Sequence, residues 1–137
     1  MKKIFYLLFV CVIAASCSSE KLDKSDPLAS GRGFIEASLK GDYVKAKKYI
    51  LQDSTNEQYM DRLRDFNQKL TPIERESYRD ADIIIDSTKS LNDSTEIIYY
   101  KNTYKKEPTE LRLVEKGNEW LVDFKYTFNL NENNQPQ

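Results

Sequence analysis

Apolar residues along this chain keep two different rhythms, and the change between them restricts the fold more than any single motif. From Pro27 to about Arg79 they recur every three or four residues, the repeat of a half-buried helix. From Asp82 to Phe128 they alternate, as on a strand with one face against a core. Helices followed by strands, without alternation of the two, predict an α+β domain: N-terminal helices packed on a curved four-stranded antiparallel sheet.

The helical half is punctuated by residues that start and stop helices. Asp26 is placed to cap a first helix, and Pro27 suits its first turn, where a missing N–H leaves nothing unpaired. Leu28, Gly31, Phe34, Ile35, Ser38 and Leu39 then share one face. Gly31 and Gly33 each cost about 1 kcal/mol in a helix relative to alanine. Such a cost calls for close packing against a neighbour or, alternatively, a ligand lying against the backbone. Gly41 ends the helix and Asp42 caps the next, a tight corner at Lys40-Gly41-Asp42. The second helix is expected from Tyr43 to about Leu51, with Val44, Ala46, Tyr49 and Ile50 buried. Ser54 and Glu57 have capping-box spacing and open a third helix to about Leu70, striped by Tyr59, Met60, Leu63, Phe66 and Leu70. Thr71 and Glu74 repeat the box before a short helix ending near Arg79.

Four strands are predicted over about 82–90, 95–104, 109–116 and 119–128. A Gly117-Asn118 turn, glycine first, fits a type II′ hairpin. It sets Lys116 opposite Glu119, Val114 opposite Leu121, Arg112 opposite Asp123 and Glu110 opposite Lys125. Leu113 with Val122, and Leu111 with Phe124, fall on the other face beside Trp120. A slip of one residue would set charges against that apolar set, so the pattern resists other registers. An Asn92-Asp93 turn pairs Lys89 with Glu96, Ile85 with Tyr100 and Ile83 with Asn102. Ile83, Ile85, Ile98 and Tyr100 then face the core, while Ile84, Ile97, Tyr99, Val114 and Leu121 form an outer apolar patch. Patches of that kind commonly mark partner surfaces.

Ahead of the domain, Lys2 and Lys3 precede an apolar run from Ile4 to Ala15, then Ala14-Ala15-Ser16-Cys17. A basic end, a dozen apolar residues and small residues at a cut site are the order of a secretory signal. Twelve residues rise about 18 Å as a helix against a hydrocarbon core of about 30 Å, too short to span. With cysteine directly after the small residues, the segment resembles a bacterial lipoprotein signal. That resemblance implies cleavage after residues 1–16, lipid bearing several palmitate-like acyl chains on the Cys17 thiol, and a membrane partner. Ser18, where an aspartate would imply inner-membrane retention, points by the same resemblance to the outer membrane. Residues 17–25 then form a lipidated tether, 26–128 the folded domain and 129–137 an Asn-rich disordered tail. Eight extended residues reach at most about 29 Å, which keeps the domain beside its bilayer.

Composition narrows the chemistry. The chain has 21 basic and 22 acidic side chains, no histidine and two cysteines, one of which leaves with the signal. Near-neutral charge argues against a nucleic-acid partner. Without histidine or a free thiol, the commonest proton shuttle, metal ligand and nucleophile are missing, so neither enzyme, metal nor cofactor is expected. Asp82 and Asp86 read as solvated carboxylates. The Lys45-Ala46-Lys47-Lys48 run reads first as a wet helix face, with anionic lipid or surface sugar as the sharper alternative.

The segment Phe34-Ile35-Glu36-Ala37-Ser38-Leu39-Lys40-Gly41-Asp42-Tyr43-Val44-Lys45-Ala46, together with Gly117-Asn118-Glu119-Trp120-Leu121-Val122-Asp123-Phe124, resembles the nuclear transport factor two-like (cystatin-like) superfamily. Small bacterial lipoproteins of unknown function share this pattern. The resemblance implies a cone in which helices close one face of the sheet around a pocket, with Phe34, Tyr59, Tyr100, Asn102, Trp120 and Phe124 as candidate lining, and a homodimer formed through the outer sheet face. Some superfamily enzymes transfer protons with a pocket carboxylate and tyrosine, but no residue here aligns with those positions. The expected function is a membrane-anchored envelope module that binds a small apolar ligand or a protein partner. An envelope enzyme and a pure scaffold are the rivals.

Overall fold

The computed structural model describes residues 21–127. Cys17, the signal and the tail 129–137 lie outside them. Helix α1, Pro27–Leu39, is capped by Asp26, whose carboxylate accepts from the Ala29 N–H at 2.9 Å. The corner forms at Gly41, whose φ of +74° lies in the left-handed region that glycine enters freely. Helix α2 is one short turn, Tyr43–Lys47, capped by Asp42. It ends earlier than expected because the next residues leave the helix to join the sheet. The Val122 N–H donates to Tyr49 O at 2.8 Å, and the Leu51 N–H donates to Val122 O at 2.9 Å.

Helix α3, Ser54–Lys69, is capped by Asp53 rather than Ser54; its carboxylate accepts from the Thr55 and Asn56 N–H groups. Helix α4, Pro72–Arg79, has the reciprocal Thr71–Glu74 capping box and buries none of its residues.

Strands β1 (Ile83–Asn92), β2 (Thr95–Asn102), β3 (Thr109–Lys116) and β4 (Glu119–Val122) form one antiparallel sheet in sequential order, not closed into a barrel. Helices followed by an open antiparallel sheet make the chain an α+β fold. Lys116 pairs with Glu119, Val114 with Leu121 and Leu113 with Val122, the expected register. The turn itself differs. Gly117 and Asn118 both have positive φ, +58° and +63°, which is type I′ rather than II′. Both turns leave two residues in the loop, so the register is unchanged.

Strand β4 stops at Val122, and 124–127 form a helical turn. Glu110 and Lys125 therefore do not pair; Lys125 reaches Asp123 at 2.9 Å and Asp53 at 3.1 Å instead. Arg112 and Asp123 remain neighbours at 4.0 Å. In the β1–β2 hairpin, Ile83–Asn102 and Ile85–Tyr100 pair as expected. Register shifts at Asp86 and Leu91 then move the turn to Asp93-Ser94 and set Lys89 against Ile97 rather than Glu96.

The core lies between α1 and the inner sheet face, around Phe34, Ile35, Ile98, Leu111, Leu113 and Val122. α1 comes close because Gly31 has no side chain. A Cβ there would stand 2.5 Å from Ile98 Cδ1. Gly33 likewise admits the buried Tyr49 ring. On the outer face Ile84 is exposed and Tyr99, Val114 and Leu121 are half-buried, but Ile97 is only 2% exposed. Its cross-strand neighbours are Lys89 and Arg112, and long stems of this kind cover apolar surface. The five-residue outer patch is therefore interrupted at its centre.

Candidate functional site

The helical and strand rhythms converge on a cavity of about 210 Å³. Helix α1 supplies Phe34, Ile35, Ser38 and Leu39, successive positions of its apolar face. Tyr43 enters from the start of α2, and Leu63, Phe66, Asn67 and Leu70 from the last turns of α3. Tyr78 of α4, Tyr100 and Asn102 at the end of β2, and Phe124 with Thr127 from the terminal turn complete the wall. Phe66 is half exposed at the rim. Phe34 and Phe124 meet with their ring planes tilted by 60° and centroids 5.0 Å apart, and Tyr78 meets Tyr104 edge-on at 4.9 Å.

Of the six residues expected from the sequence, Phe34, Tyr100, Asn102 and Phe124 line this cavity. Tyr59 and Trp120 do not. Tyr59 sits earlier on α3 under the Arg62 guanidinium, 5.0 Å from its ring centroid. Trp120 lies at the other end of α1, where its carbonyl accepts from Ser30 Oγ at 2.6 Å and its N–H donates to Lys24 O. Both still pack against the core. Sequence reading missed Tyr43, Tyr78, Asn67 and Thr127. Leu63, Phe66 and Leu70 were visible as a stripe but not as a cavity wall.

Among the described residues no charged side chain lines the cavity. Burial pushes the Tyr100 hydroxyl up to about 12, against a hydrogen bond with Thr109 that acts the other way. Burial also raises Tyr43 and Tyr78, the latter helped by Tyr104, Glu107 and Glu74. All three phenols are therefore neutral hydrogen-bonding groups near neutral pH and not bases. Asn102 Oδ1 accepts from the Tyr104 and Lys105 N–H groups at 3.1 and 2.8 Å, so its NH₂ is the group left for the cavity. Ser38 Oγ is buried with no hydrogen-bond partner. The wall thus offers several donors on an apolar, aromatic ground.

A separate polar cluster holds the cavity's C-terminal wall in place. Asn56 is fully buried and spans α3 and the terminal turn: its Oδ1 accepts from the Lys125 N–H at 2.7 Å, and its Nδ2 donates to Asp53 at 2.8 Å. Lys125 bridges Asp53 and Asp123. Nothing in the sequence pattern marks Asn56, which sits at an ordinary first-turn position. The described residues contain no cluster of acidic or cysteine side chains able to hold a metal ion. No helix among them is long and apolar enough to cross a membrane.

Comparison with protein-family models, with curated proteins and with solved structures finds no match to this chain.

Proposed function

We propose that this chain is an envelope lipoprotein, acylated at Cys17, whose domain holds one small, neutral, mostly apolar molecule in the cavity between α1, α3 and β2. The observation that carries this is the lining: aromatic and aliphatic side chains with amides and hydroxyls, and no charge. A charged ligand would lose its hydration there without a counter-ion, whereas an apolar one loses nothing. A cavity of about 210 Å³ exceeds the roughly 150 Å³ that accommodates benzene in an engineered core. One or two fused rings, or a short branched chain, fit that space. The donors on Asn102 and Tyr100 favour a ligand with a carbonyl or ether oxygen. Proton transfer in the cavity would need a base, and the lining carries no carboxylate.

The test is mass spectrometry on protein purified from its own membranes. The mature chain is expected to begin at Cys17 with added acyl mass, and a neutral compound is expected in the organic extract at about one per protein. Leu63→Trp, which fills the cavity, should lose the compound and keep the acyl mass. A chain without acyl mass contradicts the anchor. Equal amounts of compound from both proteins contradict the cavity.

A further inference from the structure

Two adjoining grooves meet where the chain enters the domain, at the opposite end of α1 from the cavity. One is lined by Lys21, Leu22, Asp23, Lys24, Asn118 and Glu119, the other by Leu22, Lys24, Lys47, Lys48, Glu119 and Leu121. Together they present four lysines against two acids, on a chain whose formal charge is −1. Lys24 is tied to Glu119 at 3.0 Å and Lys47 to Asp61 at 2.9 Å, but Lys48 makes no ion pair among the described residues. Half-buried Leu22 and Leu121 line the second groove together with Lys24, Lys47 and Lys48.

We propose that this face docks on the anionic phospholipid headgroups of the bilayer that holds the lipid anchor, and so turns the cavity outward. The inference rests on acylation of Cys17. Three residues lie between Cys17 and Lys21, so the four Cα steps from one to the other reach at most about 14 Å when extended. The basic grooves are therefore held against the headgroup layer, within range of its negative potential. The Trp120 N–H donates to Lys24 O at 2.9 Å, which ties the entering segment to β4 and keeps the grooves beside the point where the chain enters. Lining residues Phe34 to Leu39 lie about 12 to 20 Å further along the α1 axis. One acylated residue with a basic face is also the two-signal arrangement that makes anchoring durable.

Amide hydrogen exchange on the full lipidated protein tests this, in vesicles of phosphatidylcholine alone and of phosphatidylcholine mixed with phosphatidylglycerol. Amides of 21–25, 47–52 and 117–121 should exchange about five-fold more slowly with phosphatidylglycerol present. The difference should vanish at about 0.5 M salt. Lys48→Gln, which breaks no ion pair, should remove most of it, and Lys47→Glu with Lys48→Glu all of it, with exchange in α1 unchanged. Identical exchange in both vesicles, with protein floating with both, overturns the docking face and leaves the anchor standing. Protein that floats with neither overturns both. Protection that needs no phosphatidylglycerol and grows with protein density makes a second copy the occupant and overturns the proposal.

Discussion

Gly33 shows how one missing side chain sets the geometry of the helical layer. A Cβ at that position would run into the hydroxyl end of the buried Tyr49 ring, which packs on α1 through the space glycine leaves. Helix propensity alone would make Gly33→Ala stabilising by about 1 kcal/mol. The clash reverses the sign, because overpacking a core costs about 1–3 kcal/mol. Gly33→Ala should therefore lower the urea midpoint. Asn56 is the second decisive residue. Replacing it by alanine leaves the Lys125 N–H without its acceptor in a buried site, which costs about 1–3 kcal/mol. Asn56→Ala should lower the same midpoint, and faster exchange at 124–127 would place the damage.

Charge at these sites gives the stability curve two limbs. The Asp53 carboxyl is held below its ordinary 3.8 chiefly by the Asn56 N–H; burial, the next largest effect, opposes this, and Lys125 and the Asn56 amide add to the lowering. A lowered carboxylate contributes stability above its unfolded value and loses it as pH falls through the folded one. Asp53→Asn should flatten that limb below about pH 4. Tyr100 works in the opposite direction. Its neutral form is favoured by burial, so the folded protein resists losing the proton between the ordinary 10.0 and about 12. Stability present below pH 10 is lost across that window. Tyr100→Phe should make the alkaline limb shallower in a denaturation series against pH.

At the scale of elements, α4 stands apart. It buries no residue, and its named ties are the Tyr78–Tyr104 ring contact and the Arg75 bond to Gln68 O. Exposed elements with few apolar contacts open most readily. Amides of α4 should therefore exchange faster than those of α1; equal protection would show that it is part of the rigid core. The β3–β4 register could be read from the sequence because each face carries its own chemistry and a slip mixes them. The far half of β1 could not. Ser87 to Leu91 is exposed throughout, so no buried set penalises the shifts at Asp86 and Leu91. Those bulges and Lys89 also blunt an edge strand that would otherwise invite pairing. The end of β4 misled for another reason. Asp123 to Phe128 alternates like a strand, but the Asn56–Lys125 bond turns the backbone after Val122. Phe34, Tyr100, Asn102 and Phe124 could be named because the family resemblance implied a pocket and periodicity reports the inward face. Periodicity does not report depth along the helices, which is why Trp120 and Tyr59 fell outside the cavity and Tyr43 and Tyr78 were missed.

On the scale of the molecule, α1 links two ends of different character, an uncharged aromatic cavity and a lysine-rich face where the chain enters the domain near Lys21. The outer sheet face is less continuous in apolar surface than alternation implies, since Ile97 is buried and the Arg112 guanidinium lies 5.3 Å from the Tyr126 ring centroid. The cavity carries the account. Its most direct test is a fluorescence titration with 2-methoxynaphthalene, a neutral two-ring fluorescent dye with an ether oxygen, on wild type, Leu63→Trp and Lys48→Gln. Saturable binding of one dye per chain is expected in wild type and Lys48→Gln, with at least about ten-fold weaker binding in Leu63→Trp, a loss of about 1.4 kcal/mol. Equal dye binding by a folded Leu63→Trp protein would contradict the central claim.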